Sequence, residues 1–224
     1  MENIRIPDKA EEVEEGLSNK VYFHDGKVYK LYRFFPVPGL YASLLELLRG
    51  RLIFYSRRRR IRNEVKISKL LGTEKVTTAE VINVSNNKIV FEKVPGVSGF
   101  TYLNNCTEDG AVKLGKDLKE FLEDTHDRDI ALKDARLSNF IVDKDRIYSI
   151  DHEYASLEAG KLFKILDELT VISSARQTEN FHSFRKGFRP HRYAEFLSIF
   201  TAIYHIILFD RELERARNLW KSLK

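Results

Sequence analysis

Short runs rich in β-branched and aromatic residues come first in this chain, and longer runs with a helical period follow. Val21-Tyr-Phe-His-Asp-Gly-Lys-Val-Tyr-Lys-Leu-Tyr32 predicts two β-strands joined at Asp25-Gly26, a dipeptide favoured in tight hairpin turns because both central positions take positive φ. Pro36 and Pro38 then interrupt the sheet, and Leu40 to Leu48 predicts a short leucine-rich helix. A further helical run carries Glu64 and ends at Leu71-Gly72, with the glycine where a helix C-terminus favours one. Ala79 to Val84 and Lys88 to Val94 predict a second hairpin around Asn86-Asn87, closed by Pro95-Gly96. From Thr107 the period lengthens: Leu114, Leu118, Phe121 and Leu122 fall on one helical face, Thr107 can cap it, and Glu108 and Asp109 complement its positive end. The remainder reads as mainly helical, apart from a short hairpin of Phe140-Ile-Val142 and Arg146-Ile-Tyr-Ser-Ile150. Tyr193 to Phe209 predicts a buried helix, since Glu195 and His205 interrupt it and it falls short of the roughly 20 apolar residues of a membrane span. The expected class is α+β and bilobal: a β-rich lobe over residues 1–94 with one main helix, then a mainly helical lobe over residues 95–224, with ligands bound in the cleft between them.

Composition narrows the classes. The 224 residues are 43% hydrophobic, enough for a sizeable core, and they show no internal repeat. One cysteine, Cys106, excludes an internal disulfide and argues against a thiolate zinc site. The acidic first residues contain no apolar run of the signal-peptide kind, so a cytoplasmic protein is expected. A charged fraction of 32%, with one Cys and one Met, is a balance seen in proteins of hot environments. The net charge of +5 favours polyanionic partners.

The sharpest chemical signal is Asp134-Ala-Arg-Leu-Ser-Asn139, followed by a predicted hairpin and then by Ile150-Asp151. This pattern resembles the catalytic loop and metal-binding aspartate of the protein-kinase-like superfamily. The resemblance implies that Asp134 faces the attacking hydroxyl while Asn139 and Asp151 hold Mg2+ beside the phosphates of ATP. Val28-Tyr-Lys30, on the second strand of the first hairpin, is similar to the superfamily's lysine strand. Lys30 would then pair with the α and β phosphates and with Glu64, Val28 would lie over adenine, and Glu92 and Val94 would border it with backbone groups. Departures are plain: Glu15-Gly-Leu-Ser-Asn-Lys20 has one glycine where a protein kinase has three, which turns attention to backbone amides near Ser18, or to Lys20, as the phosphate contact. Leu132-Lys133 replaces the usual His-Arg before the aspartate, and Asp-Phe-Gly reads Asp151-His152-Glu153. A register based on His126-Asp-Arg-Asp129 fails because the residue five after Asp129 is Asp134, not an asparagine.

The stretch after Asp151 has no Ala-Pro-Glu motif and no long activation segment, which disfavours a peptide substrate. Between Glu92 and Asp134 there is no room for the large helical insertion of aminoglycoside and choline kinases, although Ile150-Asp-His-Glu-Tyr154 looks like theirs. The layout more closely resembles the minimal archaeal kinases: the small kinase of the KEOPS tRNA-modification complex, and the archaeal RNA kinase that phosphorylates a ribose 2′-hydroxyl in the tRNA variable region. Arg49, Arg51, Arg57, Arg58, Arg59, Arg60 and Arg62, interleaved with Phe54 and Tyr55, suit phosphate contacts and base stacking. A second set includes Arg185, Lys186 and Arg189. The expected activity is therefore ATP-dependent phosphorylation of tRNA. The alternatives are a KEOPS-type Ser/Thr protein kinase or ATPase within a tRNA-modification complex, a small-molecule kinase, and a non-catalytic RNA-binding relative.

Overall fold

The computed structural model describes residues 4–7, 9–15, 19–33, 55–72, 76–157 and 159–194. The predicted helix over 40–48, Ser18, and nearly all of the predicted helix over 193–209 lie outside the described residues. The class is mixed α and β, with several sheets.

The first predicted hairpin forms as β2 (Asn19–His24) and β3 (Lys27–Tyr32), with Tyr22 opposite Tyr29. Its turn has φ of 46° at Asp25 and 67° at Gly26, the double positive φ that makes Asp-Gly effective there. Two more strands, β5 (Val81–Val84) and β6 (Lys88–Glu92), form the second predicted hairpin. β6 pairs with β3, which gives an antiparallel sheet in the order β1-β2-β3-β6-β5. Its edge, β1 (Glu11–Glu15), is a glutamate-rich segment with low strand propensity; pairing with β2 overrides that propensity, and a charged edge discourages further strand addition.

A second sheet has the order β4-β10-β9-β7, from Val76–Thr78, Arg146–Ser149, Phe140–Asp143 and Val97–Ser98. Here β9 and β10 are the predicted third hairpin, whereas β4 joins β10 in parallel. Sheet pairing thus crosses residue 94. A two-stranded ribbon joins β8 (Ile130–Ala131) to β11 (Ser156–Leu157).

Helix α1 (Arg57–Leu70) starts at Ser56, whose hydroxyl accepts from the Arg59 amide at 3.4 Å. Its buried face is Arg60, Ile61, Glu64, Ile67 and Ser68, a helical stripe in which two charged residues occupy core positions. Helix α2 (Gly99–Asn105) is short. Helix α3 (Glu108–Asp127) begins at Thr107, whose hydroxyl accepts from Gly110 at 3.2 Å, and buries Leu114, Leu118, Phe121 and Leu122 as its period predicts. Helices α4 (Lys161–Ala175) and α5 (Phe181–Gly187) follow. α5 lies so close to α3 that a Cβ on Gly115 or Gly187 would strike the other helix's backbone, at Phe184 and Val112 respectively.

Three apolar clusters form among the described residues, the smallest being Ala131, Ala159 and Phe163. Of the other two, one gathers Tyr32, Ile61, Ala79, Ile89 and Phe91, with Val28, Val94 and Ile150 against it. The larger one surrounds α3 and includes Phe140, whose ring meets Phe121 edge-on at 6.0 Å, as well as Ile67, Leu71 and Val76. α1 contributes to both, Ile61 to the first and Ile67 to the second. Among the described residues no helix is long and apolar enough to cross a membrane.

Candidate active site

Three segments far apart in sequence meet at Lys30. Alternation along β3 turns Lys30 and Tyr32 inward while Lys27 and Tyr29 stay partly exposed. The Lys30 ammonium lies 2.6 Å from Asp151 Oδ1 and 3.2 Å from Glu64 Oε2, with Glu153 Oε2 at 3.7 Å. Burial opposes its charge, but Asp151 and Glu64, with smaller help from Tyr32 and Glu153, outweigh burial and hold Lys30 well above its ordinary value. Burial dominates at Glu64, where the opposing pull of Lys30 is incomplete and the carboxyl rises to about 7. At Asp151 burial also acts upward, yet Lys30 prevails, aided by Arg136, and the carboxyl falls below its usual range. Asp151 takes a φ of 63°, a turn conformation uncommon for a residue with a side chain and frequent where a site imposes its geometry.

Glu153, which stands where the Asp-Phe-Gly motif has its glycine, is a junction. Only 1% exposed, it accepts from Asn19 Nδ2 at 3.1 Å and from Arg60 Nη1 at 3.3 Å. Asn63 Nδ2 donates to its carbonyl at 3.2 Å and to the Ala155 carbonyl at 3.1 Å. The available sequence signal was the Arg60-x-x-x-Glu64 pair inside the apolar stripe of α1, since charges at core positions require buried partners.

The loop carrying Asp134 is held from below by Asp167 of α4, which is fully buried. Its carboxylate accepts from the Leu132 amide at 2.8 Å and the Lys133 amide at 2.6 Å, and His126 Nε2 lies 3.1 Å from it. A carboxylate only accepts, so Nε2 of His126 carries the proton. His126 is therefore a loop anchor, and the rejected register leaves Asp129 outside the constellation. Lys133 has a φ of 65°, which these two amide bonds stabilise. Asp134 is gripped by Arg136 through a two-pronged contact, Nε at 2.6 Å and Nη2 at 2.7 Å. Asn139 donates from Nδ2 to the Asp134 carbonyl at 2.8 Å, and its own carbonyl accepts from Ile150 at 2.9 Å, linking the loop to the strand before Asp151. Because Nδ2 is engaged, Oδ1 is the side-chain atom that Asn139 can offer to a cation. His152 is 2% exposed and bridges Ser68 Oγ at 3.1 Å and Ser149 Oγ at 2.9 Å. Burial lowers its value to about 4, so it is a neutral packing group and not a cation.

Val28 and Val94 pack against the first cluster, as does Ile150. In the segment Glu92 to Val94, the Glu92 amide donates to the Glu80 carbonyl and the Lys93 amide to the Gly26 carbonyl, both at 2.9 Å.

The arginines separate. Arg57, Arg58, Arg59 and Arg62 are exposed on α1. Arg60 is corrected from an RNA contact to an interior residue: it is 2% exposed, pairs with Glu153, donates from Nη2 to the Arg33 carbonyl at 2.5 Å and lies over the Tyr32 ring. Helical geometry explains this, since position 60 faces the same way as Ile61, Glu64 and Ile67. Tyr55 is also no exposed stacking platform. At 7% exposure it accepts from Lys133 Nζ at 2.7 Å and packs 5.6 Å from the Tyr154 ring, with the Arg59 guanidinium 5.7 Å over it. Tyr55 thereby joins the arginine turn to the residue preceding Asp134. Arg49, Arg51 and Phe54 lie outside the described residues. Arg185 and Lys186 are exposed on α5 and Arg189 just beyond it, on the helix that packs against α3. The carboxylates of Glu64, Asp151 and Glu153 approach within 4.8 Å of one another, with the Lys30 ammonium in contact with all three. Compared with models of protein families and with curated proteins, the sequence matches none.

Proposed function

We propose that this chain is a phosphotransferase of the protein-kinase-like type that uses Mg-ATP to phosphorylate RNA, and that its acceptor is an internal ribose 2′-hydroxyl of a folded tRNA. The observation that carries this reading is the meeting of Lys30 with Glu64 and Asp151, at 3.2 and 2.6 Å, beside a loop that holds Asp134 and Asn139 together. Phosphoryl transfer needs little covalent help and much positioning, and these residues are a positioning set.

Lys30, kept charged by its carboxylate neighbours, neutralises phosphate oxygens of the nucleotide. Asp151 through its carboxylate and Asn139 through Oδ1 offer hard oxygen donors, which fit Mg2+. Magnesium held by these residues would lower the charge repulsion between phosphates and acceptor. Asp134 orients the acceptor hydroxyl and takes its proton. The acceptor oxygen then bonds to the γ-phosphorus, the bond from that phosphorus to the β,γ-bridging oxygen breaks, and ADP leaves with the electron pair. Arg136, already on the Asp134 carboxylate, supplies positive charge beside the transferring group.

RNA is favoured over a peptide by the location of the exposed arginines. Arg57, Arg58, Arg59 and Arg62 start the helix that carries Glu64, and Tyr55 ties that start to Lys133, next to Asp134. A polyanion held on this turn is delivered to the catalytic loop. The test is transfer of labelled γ-phosphate to bulk archaeal tRNA and, in parallel, to a generic protein, with Asp134→Ala as control. Label in intact tRNA that resists end-directed phosphatase and disappears in the variant is the expected result. Label in protein alone, or ATP hydrolysis with no acceptor labelled, refutes the RNA assignment and favours a KEOPS-type kinase or ATPase.

A further inference from the structure

From Phe181 to Ala194 the chain carries Arg185, Lys186, Arg189 and Arg192 and no acidic residue. Two buried side chains root the end of this stretch: Phe188, which stacks on Phe184 at 5.5 Å in the larger cluster, and Ala194. Between them the chain runs along the surface, with Arg189, His191, Arg192 and Tyr193 exposed. It is fixed midway as well. The His191 amide donates to Glu168 Oε2 at 2.6 Å and Lys119 Nζ donates to Glu168 Oε1 at 2.6 Å, so this buried carboxylate has both oxygens engaged. Displayed on that backbone are the rings of His191 and Tyr193, stacked with centroids 5.3 Å and planes 25° apart. The Tyr193 amide donates to His191 Nδ1 at 3.4 Å, which orients the imidazole. Tyr193 is 64% exposed, the highest value for a large hydrophobic side chain among the described residues. Glu168 follows Asp167 on α4, and Asp167 holds the Leu132 and Lys133 amides just before Asp134. One turn of one helix thus fixes the backbone of both the His191 segment and the loop carrying Asp134.

A solvent-exposed aromatic stack among cationic side chains has the chemistry that holds a nucleotide, because the base stacks on the rings while its phosphates meet the cations. A duplex offers no such base, since its bases already stack on one another, whereas a loop or bulge does. We infer that the His191–Tyr193 pair is a stacking platform for an unpaired base of the RNA acceptor, flanked by phosphate contacts from Lys186, Arg189 and Arg192. The inference rests on the RNA-kinase reading above. These residues bind the acceptor and take no part in bond making.

The experiment measures equilibrium binding of the full chain to a fluorescent unstructured single strand, to a fully paired RNA duplex and to bulk tRNA across a range of salt, with tRNA labelling assayed in parallel. Tyr193→Ala weakens single-strand and tRNA binding by about tenfold and leaves the salt slope unchanged, because no phosphate contact is lost. Tyr193→Phe keeps the ring and binds like the wild type. His191→Ala keeps its amide on Glu168 and gives the same pattern as Tyr193→Ala, and duplex affinity is the same in all three variants. Arg189→Gln lowers the slope of log affinity against log salt by about one. Single-strand affinity unchanged in both Tyr193→Ala and His191→Ala overturns the platform. Equal losses on single strand and duplex overturn it too, since stacking of an unpaired base cannot produce them. Binding to vesicles of anionic lipid that depends on Tyr193, without binding to RNA, replaces the RNA with a membrane surface. Binding to RNA that depends on Tyr193, without labelling of tRNA, upholds the platform and refutes the RNA-kinase reading; labelled tRNA with no loss of affinity in either ring variant does the reverse. If Tyr193→Ala does not fold, His191→Ala decides the question.

Discussion

Asp167 and Asp151 stand close to the same loop, the one that carries Asp134, but are satisfied in different ways. Asp167 is fully buried and takes the amides of Leu132 and Lys133 at 2.8 and 2.6 Å, groups that have no freedom to leave. Asp151 is partly exposed and takes a lysine side chain at 2.6 Å, which other anions can share. The first arrangement fixes a loop and the second stores an exchangeable contact. Around Lys30 the charges compensate one another, with Glu64, Asp151 and Glu153 set against Lys30 and Arg60. Around Asp167 there is no such redundancy, because each partner is a separate hydrogen-bond donor.

The largest expected effect tests the rigid centre. Asp167→Ala strands two backbone amides and the His126 ring, and should cost about 4 kcal/mol in urea unfolding, since each buried donor left unpaired costs about 1–3 kcal/mol. A loss below about 1 kcal/mol would show that water replaces Asp167 easily and that the loop is not anchored there.

Next is the exchangeable centre. Lys30→Met removes the cation in contact with all three neighbouring carboxylates and should destabilise by about 3 kcal/mol. Adding Glu64→Gln should restore most of that stability, because one uncompensated charge is removed, while binding of a fluorescent ATP analogue stays lost in both variants. Recovery of nucleotide binding in the double variant would contradict the role given to Lys30.

A smaller effect comes from His152, whose folded value near 4 lies below the ordinary 6.5. Such a group takes up a proton on unfolding, so its stability contribution is full above about pH 6.5, drains as the pH falls, and is gone below about pH 4, a change of about 3 kcal/mol. His152→Leu should flatten this acid limb of the stability profile, measured by thermal unfolding across the range. A limb of unchanged slope would mean that His152 is not the group responsible.

The smallest effect belongs to the exposed arginines. Each of Arg57→Gln, Arg58→Gln and Arg59→Gln should weaken tRNA binding modestly and reduce the slope of log affinity against log salt by about one. Slopes that do not change would remove the arginine turn from the RNA contact.

Local chemistry was readable wherever a few neighbouring residues decide it. Asp25-Gly26 places the first hairpin, Thr107 caps α3, and the Asp134 to Asn139 spacing followed by a hairpin marks the loop, because turn geometry and helical period depend on sequence neighbours. β1 and β4 were not readable from their own residues. Glu11–Glu15 is a strand because β2 provides a ladder, and Val76–Thr78 because β10 runs beside it in parallel.

The arginine block shows the same division within a single helix. The sequence by itself determined that the block is basic, that its helix carries Glu64, and that Lys30 and Asp151 belong to separate strand-bearing segments. Only the tertiary structure decided that Arg60 turns inward to Glu153 while Arg58 and Arg59 stay in solvent, that Asp167 seats the loop carrying Asp134, and that Lys30 touches Asp151 directly. The physical reason is that burial of a charge and the partner that compensates it are properties of elements brought together across the chain, and no local pattern sets them.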